Sequence, residues 1–158
     1  MASAKRENGM DRRTFGWGMA AVPVAAVGAS AQTSALEANK RTVIDFYEKG
    51  LNQKDFEAAA VHFGPRYIQH NPVAPDGIEG FKAFIAFRKE RTPQAHGRIV
   101  RVFAEGDFVI LHVHAKRDPS DRGTAIVDIF RLEAGKIVEH WDVIQPIPET
   151  MAHGNGMF

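Results

Sequence analysis

Six residues between Asp107 and Gln145 have side chains that could move protons or hold a flat ligand: His112, His114, Asp128, His140, Trp141 and Asp142. They sit within runs as apolar as FVILHVH and TAIVDIF. A carboxylate held on an apolar face is costly when charged, so its pKa should rise toward the range where a general acid or base works near neutrality. Asp128 is the first candidate for that role. His112-x-His114 puts two imidazoles on one strand face. Asp128 or His70 is the candidate third ligand, and with Asp128 they would make a His/His/carboxylate set, the donor pattern of a metal-dependent enzyme. The chain has no cysteine, which excludes thiolate nucleophiles, thiolate metal sites and disulfides.

These side chains are positioned by strands. Phe108 to Lys116, Thr124 to Glu133 and Lys136 to Gln145 read as consecutive antiparallel strands, with Arg98 to Ala104 before them across a tight Glu105-Gly106-Asp107 turn. Register decides which groups meet, because a one-residue slip carries every side chain to the other face. With Ala134-Gly135 as a two-residue hairpin loop, Glu133 pairs with Lys136 and Asp128 falls opposite Trp141. Asp128 then shares a face with Ile126, Phe130, Trp141 and Val143, whereas His140 and Asp142 point to the reverse face or a subunit interface. The turn at 117–122 admits either parity for the preceding strand. The parity that gathers the polar groups places His112 and His114 beside Asp128. Val109, Leu111, Val113, Val127, Ile129, Val138 and Ile144 are then left on the reverse, convex face, which implies a homodimer through that face.

The segment before the strands is helical. Ser34 to about Leu51 forms a first helix, Phe56 to Phe63 a second, and a third starts at Asp76-Gly77 and ends at the basic stretch Arg88-Lys89-Glu90-Arg91 before Pro93. Between the last two, Arg66 to His70 is a short strand carrying Tyr67. It is broken at Asn71-Pro72 because a residue before proline avoids the helical region. His70 and Asn71 at that rim are candidate hydrogen-bond donors to a substrate oxygen, and Trp141 a candidate wall of the pocket. The C-terminal Met157-Phe158 either frays or folds back over the pocket mouth.

Residues 1–31 read as a twin-arginine-type signal peptide. Lys5, Arg6, Arg12 and Arg13 are its basic part, Phe15 to Gly28 its short apolar part, and Ala29-Ser30-Ala31 the cleavage positions before Gln32. The apolar part is too short and too interrupted to make a stable membrane anchor. Residues 32–158 would then be a single periplasmic or secreted domain. The 158-residue chain has 20 basic and 19 acidic residues, and this balance gives no sign of a nucleic-acid surface.

The stretches FYEKGLNQKD, YIQHNP, AEGD and above all DIFRLEAGKIVEHWDV resemble the SnoaL-like, polyketide cyclase-like branch of the nuclear transport factor 2-like superfamily, in the group labelled predicted aldol-condensation enzymes. The resemblance implies an α+β, cone-like fold in which three N-terminal helices pack in a strongly curved antiparallel sheet, usually as a dimer. It also implies that Asp128 is the catalytic acid/base with His114 beside it, and that no cofactor or metal is needed. The expected activity is cofactor-independent proton abstraction next to a carbonyl, leading to aldol-type cyclisation or isomerisation of a small apolar ligand. His70, Asn71, His112, Trp141, Phe130 and Tyr67 would contact that substrate. Two alternatives stay open: a non-catalytic periplasmic module that binds a hydrophobic ligand, and the His/His/carboxylate metal-dependent enzyme.

Overall fold

The computed structural model describes residues 24–158. Of the expected signal peptide, the basic segment lies outside the described residues, and residues 24–31 form the first turns of a helix. No helix among the described residues is long and apolar enough to cross a membrane.

That helix, α1 (Val24–Tyr47), begins earlier than Ser34 and widens at its end into a π-helical turn, Glu48–Asn52. There the Gln53 N–H reaches back five residues to the Glu48 carbonyl at 2.9 Å. Gly50 permits the turn, since a Cβ on it would stand 3.0 Å from Phe81 Cζ. Helix α2 (Phe56–Ala60) is capped by Asp55, whose side chain accepts the Ala58 N–H. Strand β1 (Phe63–Gln69) follows, then α3 (Gly77–Arg91). Asp76 does not cap α3 with its side chain. Its carboxylate accepts the Gln69 N–H at 2.8 Å and so ties the start of α3 to the end of β1.

Strands β2 (His96–Glu105), β3 (Phe108–Lys116), β4 (Thr124–Glu133) and β5 (Lys136–Pro146) form an antiparallel meander. The sheet order is β1-β5-β4-β3-β2. The fold is the expected α+β cone, but the sheet is mixed: β1 lies parallel to β5, because the chain returns to it only after α3 and three further strands. Between helices and sheet, Phe46 packs with ring centroids 5.1 Å from both Phe63 and Phe81 and 5.8 Å from Phe130. Edge-to-face rings at such separations add to the area they bury.

Two features of register overturn the expected facing of the polar residues. The Ala134-Gly135 loop is the expected two-residue turn, with both residues left-handed at φ 49° and 74°. Glu133 pairs with Lys136 and Leu132 with Ile137, but Arg131 then pairs with Glu139. Val138 is an extra residue on β5, a β-bulge, buried together with Ile137. Gly64 of β1 makes room for it, since a Cβ there would lie 2.7 Å from Val138 Cγ1. Beyond the bulge every side chain of β5 is reversed: Asp128 faces Asp142, and Trp141 goes to the outer face. On β3, Leu111 rather than a histidine lies opposite Asp128, and Val109, Leu111 and Val113 are fully buried. Burial of three aliphatic side chains outweighs the gathering of polar groups. His112 and His114 are therefore on the outer face.

Candidate active site

A cavity of about 190 Å³ lies between α1, α3 and the inner face of the sheet, walled by Phe46, Phe81, Phe84 and Phe130. Asp128 and His140 project into it from β4 and β5, 4 % and 7 % exposed. Asp142 comes from the same strand, and Tyr67, Gln69 and Asn71 from β1 and its end. The bulge at Val138 turns His140 and Asp142 inward, and the parallel pairing of β1 with β5 brings Gln69 beside His140.

The hydrogen bonds fix the state of His140. Gln69 Oε1 accepts the Asn71 backbone N–H at 2.9 Å, which orients the amide with its oxygen toward His140 Nδ1, 3.0 Å away. Nδ1 must therefore carry a proton. Nε2 lies 3.1 Å from Asp128 Oδ1. It either accepts a proton from a neutral carboxyl or, as part of an imidazolium, donates one to a carboxylate. One proton thus lies between Asp128 and His140.

Burial pushes the Asp128 carboxyl up from its ordinary value. The hydrogen bond and charge of His140 oppose that rise, and nearby Asp142 adds to it. The other oxygen, Asp128 Oδ2, is buried with no partner.

Asp142, Asn71 and Gln69 are each bonded to protein partners. Asn71 Oδ1 accepts the Val73 N–H at 2.9 Å, so its amide nitrogen faces Asp142 and donates to both carboxylate oxygens at 2.9 and 2.7 Å. Gln69 Nε2 donates to the Tyr67 hydroxyl oxygen at 3.0 Å, which leaves the Tyr67 O–H free to donate into the cavity. Tyr67 and Tyr47 are both held in the neutral phenol form, by burial first and by the Asp128 charge second.

One ligand atom each of Asp128, His140 and Asp142 lies within 4.8 Å of the others, so these three residues could hold a divalent cation. In the structure their donors engage one another and Asn71. The His112, His114 and Asp128 set does not converge.

Of the eight residues expected from the sequence to act in catalysis or contact the substrate, Asp128, Phe130, Tyr67 and Asn71 line the cavity. The other four lie outside it. His114 was expected beside Asp128, but its Nε2–H donates to the Arg122 carbonyl at 2.8 Å on the outer face. There His112 accepts from Arg101 at 3.0 Å, and Phe158 stacks on both imidazoles. The C-terminal residues thus fold back over the outer face rather than the pocket mouth. Trp141 and His70 stack with ring planes 4° apart and centroids at 4.6 Å, and His70 bonds Glu139 at 2.9 Å. Neither His70 nor Trp141 lines the cavity. The convex face consequently carries Phe108, Ile110, Val127, Ile129, Trp141 and Val143 in place of Val109, Leu111 and Val113.

Polar cavity residues that the sequence reading does not assign to the site include Gln69, His140, Asp142 and Arg88. His140 and Asp142 were set aside through the register, although the adjacent apolar pair Ile137-Val138 breaks the two-residue alternation and signals a bulge. Arg88 was read only as part of a basic helix end. Its position seven residues after Phe81 and three after Ile85 puts it on the buried side of α3.

The SnoaL-like domain profile matches residues 43–140. A search of curated proteins found no match. Solved structures with the same fold include TsrD from Streptomyces laurentii, 21 % identical with a TM-score of 0.57, over 68 % of this chain and 88 % of that one. A candidate SnoaL-like polyketide cyclase from Jannaschia sp. CCS1 is 22 % identical with a TM-score of 0.57, over 70 % of this chain and 87 % of that one. An NTF2-like protein of unknown function from Cytophaga hutchinsonii is 20 % identical with the same TM-score, over 68 % and 90 %. With the profile running from the end of α1 through β4 to His140 of β5, and the cone fold shared with these structures, the chain belongs to the SnoaL-like domain family on the nuclear transport factor 2-like fold.

Proposed function

We propose that the cavity binds a small, largely apolar carbonyl compound and that Asp128 moves a proton at the carbon next to the carbonyl. The observation that carries this reading is the buried carboxyl of Asp128, with Oδ1 on His140 and Oδ2 unpartnered in the cavity. With the shared proton on His140, Asp128 is a carboxylate whose raised pKa makes it a competent base at neutral pH. Oδ2 takes the α-proton, and the electron pair of the broken C–H bond moves to the carbonyl oxygen as an enolate. The free O–H of Tyr67 is placed to donate to that oxygen. The proton on Asp128 then returns to a different carbon, giving isomerisation. In an aldol-type closure it goes to the alkoxide formed when the enolate attacks a second carbonyl. His140 holds the balancing proton and is itself held by Gln69. Family membership supports a small-molecule pocket enzyme in general, and Asp128 as acid/base accords with the resemblance read in the sequence. His140 takes the place there expected for His114, and Tyr67 the place expected for His70 and Asn71.

Exchange of α-protons for solvent deuterium tests this without knowledge of the physiological product. Wild-type protein in deuterated buffer should exchange α-protons of small apolar ketones, followed by proton NMR. Asp128→Asn should lose about 10²-fold or more of that rate. Exchange that persists undiminished in Asp128→Asn would remove Asp128 from the chemistry.

A further inference from the structure

Among the described residues, two buried side-chain polar atoms have no hydrogen-bond partner: Asp128 Oδ2 and Arg88 Nε. Both residues line the same cavity. Arg88 comes from the last turn of α3, where its guanidinium lies 5.6 Å from the centre of the Phe84 ring. Among the described residues no carboxylate pairs with it, and its Nε has no hydrogen-bond partner. The side chain is half-buried, with Nε fully so, and this burial lowers its pKa while nearby Tyr47 acts the other way. A guanidinium in such a place is costly unless something pairs with it. Surface lysines and arginines at helix ends avoid that cost by remaining in solvent.

The position of Arg88 says what the pairing group is. A wider cleft of about 560 Å³ lies next to the inner cavity, and Arg88 with Phe84, Ala115, Ile126 and Ile144 lines both. Arg88 therefore stands at the neck, while Asp128, His140 and Asp142 occupy the inner cavity alone. The cleft also carries Lys116, Arg117, Arg122 and Asp121, but of these charged groups Arg88 is the one that lines the cleft and the inner cavity together, and deeper travel would bring an anion against two carboxyl groups. We infer that Arg88 binds the carboxylate of a keto-acid substrate at the cavity neck, so that the apolar chain and its carbonyl extend inward to Asp128. This rests on the reading of the cavity as a substrate site and adds the substrate class and its orientation. A planar carboxylate suits the guanidinium fork, and the walls of Phe46, Phe81 and Phe130 suit the intervening chain.

The test compares levulinate and its longer straight-chain homologues with their primary amides, by calorimetry on wild type, Arg88→Met, Arg88→Lys and Asp128→Asn, each checked for fold by circular dichroism. Wild type should bind at least one keto acid about tenfold or more tightly than its amide, as a charge-assisted contact implies. Arg88→Met should bind acid and amide alike, Arg88→Lys should keep part of the preference, and Asp128→Asn should keep all of it. Failure of every keto acid to bind wild type more tightly than its amide overturns the inference, as does a preference that survives in Arg88→Met. The wild-type comparison decides the matter even where a variant does not fold. Binding is read without turnover, so the acid preference can fail while Asp128-dependent exchange stands, and the reverse.

Discussion

Replacing Asp128 by Asn should stabilise the protein at neutral pH. Asp128 is 4 % exposed, one oxygen has a single partner at 3.1 Å and the other has none. An unpartnered buried acceptor costs about 1–3 kcal/mol, and more when charged. Asparagine has the same shape. Because His140 Nδ1 carries a proton toward Gln69, Nε2 can accept the new amide N–H, and the oxygen left without a partner is neutral. The expected gain is about 1–3 kcal/mol, a rise of a few degrees in Tm for a domain of this size. The pH dependence has a definite sign. The folded Asp128 carboxyl is raised above its ordinary value of 3.8, so the protonated group contributes stability that is complete below that value and is lost as pH rises through the folded pKa. The advantage of Asp128→Asn should be small in acid and grow toward neutrality. Urea denaturation of both proteins across that range measures it. A loss of more than about 1 kcal/mol at neutral pH, or an advantage largest in acid, would mean that Asp128 is a structural carboxylate.

Four further outcomes are expected. Gly64→Ala drives a methyl into Val138 and should cost about 1–3 kcal/mol in urea denaturation; unchanged stability would contradict the packing that holds the bulge. His114→Ala, on the outer face, should leave α-proton exchange unchanged, and a loss matching that of Asp128→Asn would restore the pairing expected from the sequence. Val143, 66 % exposed on the convex face beside Val127, is proposed to meet a second copy of the chain. Val143→Arg should then lower the mass seen in sedimentation, and an identical mass would argue against that surface. Exchange should survive dialysis against a chelator, whereas activity lost with bound metal and restored by it would make Asp128, His140 and Asp142 a metal centre.

Much of the fold was legible because it rests on local chemistry. Asp118-Pro119, Ala134-Gly135 and Asn71-Pro72 are turns whose residue types dictate them, and the strand alternation carries through β3 and β4. Asp128 and Phe130 share the inner face in either register, since both lie on β4. The histidines did not follow from the sequence, for two different reasons. His112 and His114 alternate as cleanly as Leu111 and Val113, and only the burial of the aliphatic set against α1 and α3 chooses between the faces. His140 was displaced by a single inserted residue, Val138, which needs the space above Gly64, a residue far away in the sequence. Parallel pairing of β1 with β5 is a long-range fact of the same kind, and it is what brings Gln69 to His140. Arg88 is legible in the sequence, since its spacing from Phe81 and Ile85 places a cation on the apolar side of α3.

The proposed chemistry requires one proton held between Asp128 and His140, and nitrogen NMR of histidine-labelled protein observes it most directly. His140 should show a proton on Nδ1 throughout the folded range, while its Nε2 signal moves when Asp128 is replaced by Asn. A bare Nδ1, or an Nε2 signal indifferent to Asp128→Asn, would contradict the pairing on which the proposed chemistry depends.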